Sequence, residues 1–356
     1  MREDMLLNTI LMIVVPFVFV AGIIPYMKKL AFQIGAIDKP RARHIHKVPM
    51  PKLGGVAIFL GFLLGYMIFG THSSQMNAVL IGSFFIILTG VVDDISELKP
   101  LTKFIGQFAA ACVVVFYGNI IMQDLSAFGI YIKFGVLSYP ITVIFILGCI
   151  NCINLIDGLD GLSGGISSIY YLTIGIIAFI QQKFGLDYVL TMVMLGSTLG
   201  FLVHNFYPAK IFAGDSGSMF MGFTIAVIAL FGFKNVTLSS LIIPLLLIAI
   251  PILDTLFAII RRTLKGESPT KADKFHIHHQ LLNRNLSHRT TVLIIYLIDA
   301  LFAFASIIYV IKDNMLGYII YGILLIIVII FVATTNVVFE HEGLKEIIKR
   351  FKKNKD

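Results

Sequence analysis

The chain has 356 residues, of which 58% are hydrophobic and only 13% charged, with a mean hydropathy of +0.91. Soluble domains carry about a quarter charged residues, so this composition excludes an ordinary soluble protein and defines an integral membrane protein. The formal charge of +8, from 28 Lys and Arg against 20 Asp and Glu, would suit nucleic acid. The basic residues fall between apolar runs, however, as membrane topology demands, and no nucleic-acid partner is expected.

A helix needs about 20 mostly apolar residues to cross about 30 Å of hydrocarbon. Taken along the chain, eleven stretches meet that need, near 5–27, 53–71, 77–92, 104–122, 135–151, 161–181, 186–205, 213–233, 237–260, 291–311 and 316–335. Runs of this length exclude a β-barrel, whose strands alternate over about ten residues. The first stretch has an acidic flank before it, a basic flank after it and no small-residue cleavage site, so an uncleaved span is expected rather than a signal peptide. Residues 123–140 contain aromatic and β-branched residues around Gly129 and Gly135, the pattern of a small external hairpin.

An odd number of spans puts the termini on opposite sides. With the amino terminus outside, 23 of the 28 Lys and Arg fall in the inner segments and the tail, leaving Arg2, Lys133, Lys183, Lys234 and Lys312. That asymmetry follows the positive-inside rule. The expected fold is therefore an all-α polytopic membrane protein with about eleven transmembrane helices, amino terminus outside and carboxy terminus cytoplasmic. It forms one membrane domain over 1–356, ending in a basic tail at 336–356.

The chemically purposeful residues all fall on the inner face. Asp93 and Asp94 end the third span, and Asn151, Asn154, Asp157 and Asp160 surround the end of the fifth. Asp215 lies in AGDSGS at the start of the eighth, and His276, His278 and His279 lie in the largest inner loop. Carboxylates at membrane depth are expensive and usually functional. Asp and Asn are hard oxygen ligands suited to Mg²⁺ or Mn²⁺ rather than Zn²⁺. Because Mg²⁺ takes only one or two protein carboxylates, not all five acids are ligands. On a helix, residues 151, 154 and 157 share a stripe. The glycines of DGLDGLSGG and GDSGS allow close backbone approach at helix starts whose free amides suit phosphate. Lys103, Arg261 and Arg262 complete a site for phosphate and metal beside lipid.

Taken singly, each feature has a plainer explanation. DD after an apolar run is more often a solvated helix end, and the asparagines could serve helix packing. GDSGS reads as a helix cap. The three cysteines, Cys112, Cys149 and Cys152, make neither a disulfide framework nor a multi-cysteine zinc domain, and the CxxC at 149–152 reads as packing. A different class, a transporter using its acids for protons or cations, predicts acids near mid-bilayer and paired repeats. Here the acids collect at one face and no repeat is found.

Together these residues resemble the polyprenyl-phosphate N-acetylhexosamine-1-phosphate transferases. The likeness runs through DKPRARHIHKVPMPKLGG (38–55), VVDD (91–94) with Lys103, NCINLIDGLDGL (151–162), HNFYPAKIFAGDSGS (204–218) and HIHH (276–279). HIHHQLL is more similar to the branch using UDP-N-acetylglucosamine, which initiates teichoic acid or O-antigen assembly, than to the muramoyl-pentapeptide branch with its HHH motif. The resemblance implies attack of undecaprenyl phosphate on the sugar nucleotide's β-phosphate, release of UMP, a requirement for Mg²⁺ or Mn²⁺, and a homodimer. It implies that Asp215, with Asn154, holds the metal. Asp93 would deprotonate or orient the lipid phosphate beside Asp94, with Lys103 on phosphate. Asn205 and Phe212 would meet uracil or ribose, and Asp157 and Asp160 would line the nucleotide side. His276, His278 and His279 would contact pyrophosphate or sugar. Arg262 would face substrate oxygens, while Lys52, His44 and His46 match the family's first loop.

Overall fold

The computed structural model describes residues 2–39, 48–127, 130–235, 242–264, 266, 276–311 and 314–333. His44, His46, Gly129 and the basic tail lie outside them. Among the described residues the chain is a bundle of helices with two short antiparallel ribbons. Eight helices are long and apolar enough to cross a membrane, and two shorter apolar helices accompany them.

The helices are α1 (Arg2–Ile34), α2 (Gly54–Phe69), α3 (Ser74–Ile95), α4 (Pro100–Cys112), α5 (Ser138–Ile156), α6 (Leu162–Ile180), α7 (Leu186–Asn205) and α8 (Gly214–Asn235). They are followed by α9 (Ile242–Leu247), α10 (Ala249–Leu264), the short α11 (Ile277–Asn283), α12 (His288–Ile311) and α13 (Asn314–Ala333). α4 continues through a wider turn over Val113–Tyr117. Strands β1 (Ile37–Asp38) and β2 (Met50–Pro51) pair before α2, a ribbon too short to show in the sequence pattern. The expected hairpin is present, with β3 (Asp124–Ala127) against β4 (Ile130–Lys133).

α8 is the hub. Its residues from Met219 to Phe231 are apolar but for Thr224 and mostly buried, the pattern of a helix enclosed by others. Phe220 meets Phe59 and Phe62 of α2 edge-on, with ring centroids 5.4 and 5.5 Å apart. Tyr170 and Tyr171 of α6 donate to the Ile225 and Met221 carbonyls. α1 lies across α7, where Cβ atoms at Gly196 and Gly200 would sit 2.2 and 2.5 Å from the Ile13 and Phe17 carbonyl oxygens. Small residues four apart thus let two backbones touch, as membrane helices require when burial from water does not drive them together. The outer faces of α3, α12 and α13 expose Phe84, Leu297 and Ile327, surfaces suited to lipid.

Asn151, Cys149 and Cys152 lie on α5. The Asn151 amide donates to Gln107 Oε1 of α4 at 2.9 Å and to the Leu147 carbonyl, so it ties two helices together. Both cysteines are buried and free. Asp299, midway along α12, is fully buried and neither carboxyl oxygen has a hydrogen-bond partner. An unsatisfied buried polar group costs about 1–3 kcal/mol. Asp299→Ala is therefore expected to raise the thermal midpoint in detergent. A lower midpoint would show that the carboxyl makes a stabilising contact.

Candidate active site

The ends of α3, α5 and α7 and the starts of α4, α6, α8 and α12 gather at one end of the bundle, where Asp93 meets Lys103, Asn154 meets Asp215, Asn205 meets Gly161 and His288 meets Asp160. A cleft of about 620 Å³ opens there. Its walls include Lys52, Asn154, Asp157, Asp160, Asn205, Phe212, Asp215 and His279.

Four helices bring the reactive groups together. The sequence placed Asp93 and Asp94 at the end of a span, and both lie in the last helical turn of α3. Asp93 Oδ1 accepts the Leu98 amide at 2.7 Å, which folds the chain back towards α4. Its Oδ2 lies 2.8 Å from Lys103 Nζ, and the same ammonium lies 3.0 Å from Asp215 Oδ2. The other oxygen of Asp215 accepts from Asn154 Nδ2, which also donates to Ser218 Oγ at 2.8 Å. A single cation thus sits between two carboxylates from α3 and α8, with an amide of α5 on the far side.

Asp94 does something different. Its Oδ1 accepts the Asp215 amide at 2.8 Å, and its Oδ2 accepts the Ser216 hydroxyl at 2.8 Å and amide at 3.2 Å. A side chain of α3 therefore caps the start of α8, satisfying amides that a helix leaves free. Gly214 permits this approach: its φ is +71°, and a Cβ there would lie 2.5 Å from the Asp94 carboxylate. Both oxygens of Asp94 are engaged by protein, so its part is to hold Asp215 in place.

Across the cleft, Asp157 follows α5 and accepts from Ser163 Oγ at 2.6 Å. Burial pushes its carboxyl up to about 7, against the opposing Ser163 hydrogen bond, with the charges of Asp215 and Asp160 adding to the rise. Asp160 Oδ2 accepts the Ala209 amide at 3.0 Å, and its own amide donates to His288 Nε2 at 2.8 Å. Asn205 accepts the Gly161 amide and donates to the Ile211 carbonyl. It joins the two loops while lining the cleft. Phe212 is fixed by its backbone, the amide donating to the Pro51 carbonyl and the carbonyl accepting from Gly54. Lys52 lies 3.8 Å from Asp38, which also lines the cleft.

The loop expected around HIHH contains α11. His278 is buried with its Nε2 against Gly158, where a Cβ would lie 2.4 Å away. Burial and the neighbouring His279 hold its pKa well below the ordinary value, so the ring is neutral at pH 7. The His278 and His279 rings are 4.3 Å apart. His276 is buried and bound to Asp254 rather than lining the cleft, and Arg262 is buried at the end of α10, also away from the cleft lining.

Sequence reasoning passed over His288, Tyr207 and Asp254. The His288 ring stacks on Tyr207 with centroids 4.7 Å apart, and both line the cleft. SHRT reads as a plain helix start, so His288 carried no signal. Asp254 did carry one, as the sole acid in the apolar run PILDTLFAII.

Around Asp215 stand the oxygens of Asp215, Asp93 and Ser218, with the Asn154 carboxamide presenting its nitrogen and able to present its oxygen by a turn about its last bond. Among the described residues no three or more His, Cys, Asp or Glu form a metal cage. The arrangement suits a hard cation that keeps positions for water and substrate phosphate. That Asp93 and Asp215 already converge on the Lys103 ammonium supports the same fit.

A polytopic helical bundle with acids, a lysine and an amide gathered beside a cleft at one end fits a membrane-embedded group transferase. Residues 76–233 match the glycosyl transferase family 4 profile. The chain is 40% identical over 357 residues, 99% of each chain, to a probable undecaprenyl-phosphate N-acetylglucosaminyl 1-phosphate transferase of Bacillus subtilis strain 168. It is 35% identical, over 80% of each chain, to the decaprenyl-phosphate N-acetylglucosaminephosphotransferase of Mycobacterium tuberculosis H37Rv. It is 32% identical, over 78% of this chain and 80% of the relative, to an undecaprenyl-phosphate alpha-N-acetylglucosaminyl 1-phosphate transferase of Haemophilus influenzae. The chain belongs to glycosyl transferase family 4.

Proposed function

We propose that this protein transfers N-acetylglucosamine 1-phosphate from UDP-N-acetylglucosamine to undecaprenyl phosphate, releasing UMP. The observation that carries this reading is the junction of Asp93, Lys103 and Asp215 beside a nucleotide-sized cleft at one end of the bundle. The full-length likeness to the Bacillus relative supports it. The segments at that end are rich in Lys and Arg in the sequence, which by the positive-inside rule supports a cytoplasmic site, and the names of the bacterial relatives support a bacterial plasma membrane. The step would begin assembly of teichoic acid or a related polysaccharide.

In the reaction, an oxygen of the lipid phosphate forms a bond to the donor's β-phosphorus, and the bond from that phosphorus to the bridging oxygen of UMP breaks. Lys103 offsets the charge of the two phosphates as they meet. Asp93, in contact with Lys103, accepts or orients the acceptor's proton. Mg²⁺ or Mn²⁺ would be held by Asp215 with the oxygen of a turned Asn154 amide, and when bound it neutralises charge on the phosphate that leaves. Asp94 fixes the backbone of Asp215. Phe212, Asp157 and Asp160 face the nucleotide, and the lipid tail stays in the bilayer at the mouth of the site.

A donor panel tests the assignment. Purified protein with Mg²⁺ and undecaprenyl phosphate is expected to release UMP from UDP-N-acetylglucosamine and not from UDP-N-acetylmuramoyl-pentapeptide. Product only with the pentapeptide donor would move the protein to the other branch of the family. No product above a heat-killed control with either donor would defeat the reading.

A further inference from the structure

Asp254 lies on α10 outside the cleft and belongs to none of the motifs that mark the site. It is 2% exposed, and both its oxygens are used. Oδ1 accepts the Ile277 amide at 2.7 Å, and Oδ2 lies 2.7 Å from His276 Nδ1. The first bond takes up an amide at the start of α11, and the second reaches the residue that precedes it. One carboxylate thus grips both the backbone and a side chain of HIHH from a different helix. An ionised carboxylate is an acceptor only, so the proton between them belongs to His276 Nδ1 and the other ring nitrogen, Nε2, is left for a further partner. From this anchor the histidines follow in order. The His276 and His278 rings lie parallel within 2°, His278 packs on His279, and His279 lines the cleft. α10 also packs on α5, which carries Asn154 at the site.

We infer that Asp254 is a positioning residue: it fixes the start of α11 and the Nδ1-protonated state of His276, and through them places His279 at the cleft. In its functional consequence this rests on the transferase reading above, while its structural half stands apart from it. The variants separate the two hydrogen bonds. Asp254→Ala removes both. Asp254→Asn keeps a carboxamide oxygen for the Ile277 amide but turns an N–H₂ towards His276, which forces the ring into its other tautomer.

The experiment measures hydrogen exchange of the 276–283 segment and steady-state kinetics on the same folded, full-length preparations. Asp254→Ala is expected to speed exchange across 276–283 by about 10-fold or more, whereas Asp254→Asn stays within a few-fold of wild type. Both are expected to lose about 10- to 100-fold in kcat/KM for UDP-N-acetylglucosamine, the range seen when a residue that orients a contacting group is removed. In a double-mutant cycle with His276→Asn, the losses should fall short of additive. Unchanged exchange in Asp254→Ala overturns the inference. So does an Asp254→Asn variant with wild-type kinetics, or a strictly additive cycle. Faster exchange in Asp254→Ala from a protein whose wild type shows no turnover would uphold the anchoring role and count against the transferase reading alone.

Discussion

Asp215→Ala is expected to lower transferase turnover by about a thousandfold or more, equivalent to about 4 kcal/mol of transition-state stabilisation. Asp215 ties α8 to three other helices, α3, α4 and α5. Its oxygens meet Lys103 and Asn154, and its amide is held by Asp94. Its removal strips the carboxylate on which a hard cation would sit and leaves the Lys103 charge directed at Asp93 alone. The loss should be chemical rather than structural. A carboxylate in the first turn of a helix contributes about 1 kcal/mol or less through the helix dipole, so the thermal midpoint should move by only a few degrees. Measuring turnover against Mg²⁺ concentration, with the midpoint recorded for the same sample, checks both parts. Near-normal turnover with an unchanged metal response would remove Asp215 from the centre of the site.

Asp93→Asn is the second large effect. The carboxamide oxygen can still accept the Leu98 amide, so the turn between α3 and α4 should survive, while the ion pair to Lys103 is lost. A group that handles a proton in the chemical step contributes typically about 100- to 10,000-fold. The expected result is a kcat reduced within that range, with the KM for UDP-N-acetylglucosamine within a few-fold of wild type. Steady-state kinetics with both substrates varied decides it. A change confined to KM would make Asp93 a binding residue and leave the chemical step without the proton acceptor proposed here.

Hydropathy made the long spans legible because lipid leaves a crossing segment little choice of side chain. The boundaries were less legible. α3 runs to Ile95 rather than stopping near 92, and α5 runs to Ile156, because charged or amide residues are tolerated in a final turn when partners from other helices meet them. The apolar run at 237–260 contains two helices, α9 and α10, separated at Ile248. Pro251 explains the break: without an N–H it cannot bond back to Leu247, and its ring crowds the preceding turn.

In the site, the types of chemistry were legible but not the division of labour. Asp93 and Asp94 are neighbours of the same kind, yet one pairs with Lys103 and the other caps α8, a distinction set by which way each side chain leaves the helix. Asn151 and Asn154 share a stripe as their spacing implied, but they meet different helices, Gln107 of α4 for one and Asp215 of α8 for the other. His288 gave no local signal, and Asp254 stood out only as a lone acid in an apolar run; both act on loops distant in sequence, and no local spacing announces such a contact.

The measurement closest to the central claim is Mn²⁺ binding by electron paramagnetic resonance on the purified protein with UDP-N-acetylglucosamine and no lipid acceptor. A bound Mn²⁺ signal displaced by Mg²⁺ in the wild type, and lost in Asp215→Ala, is the predicted result. Equal binding by the two proteins, or none by either, would contradict the account.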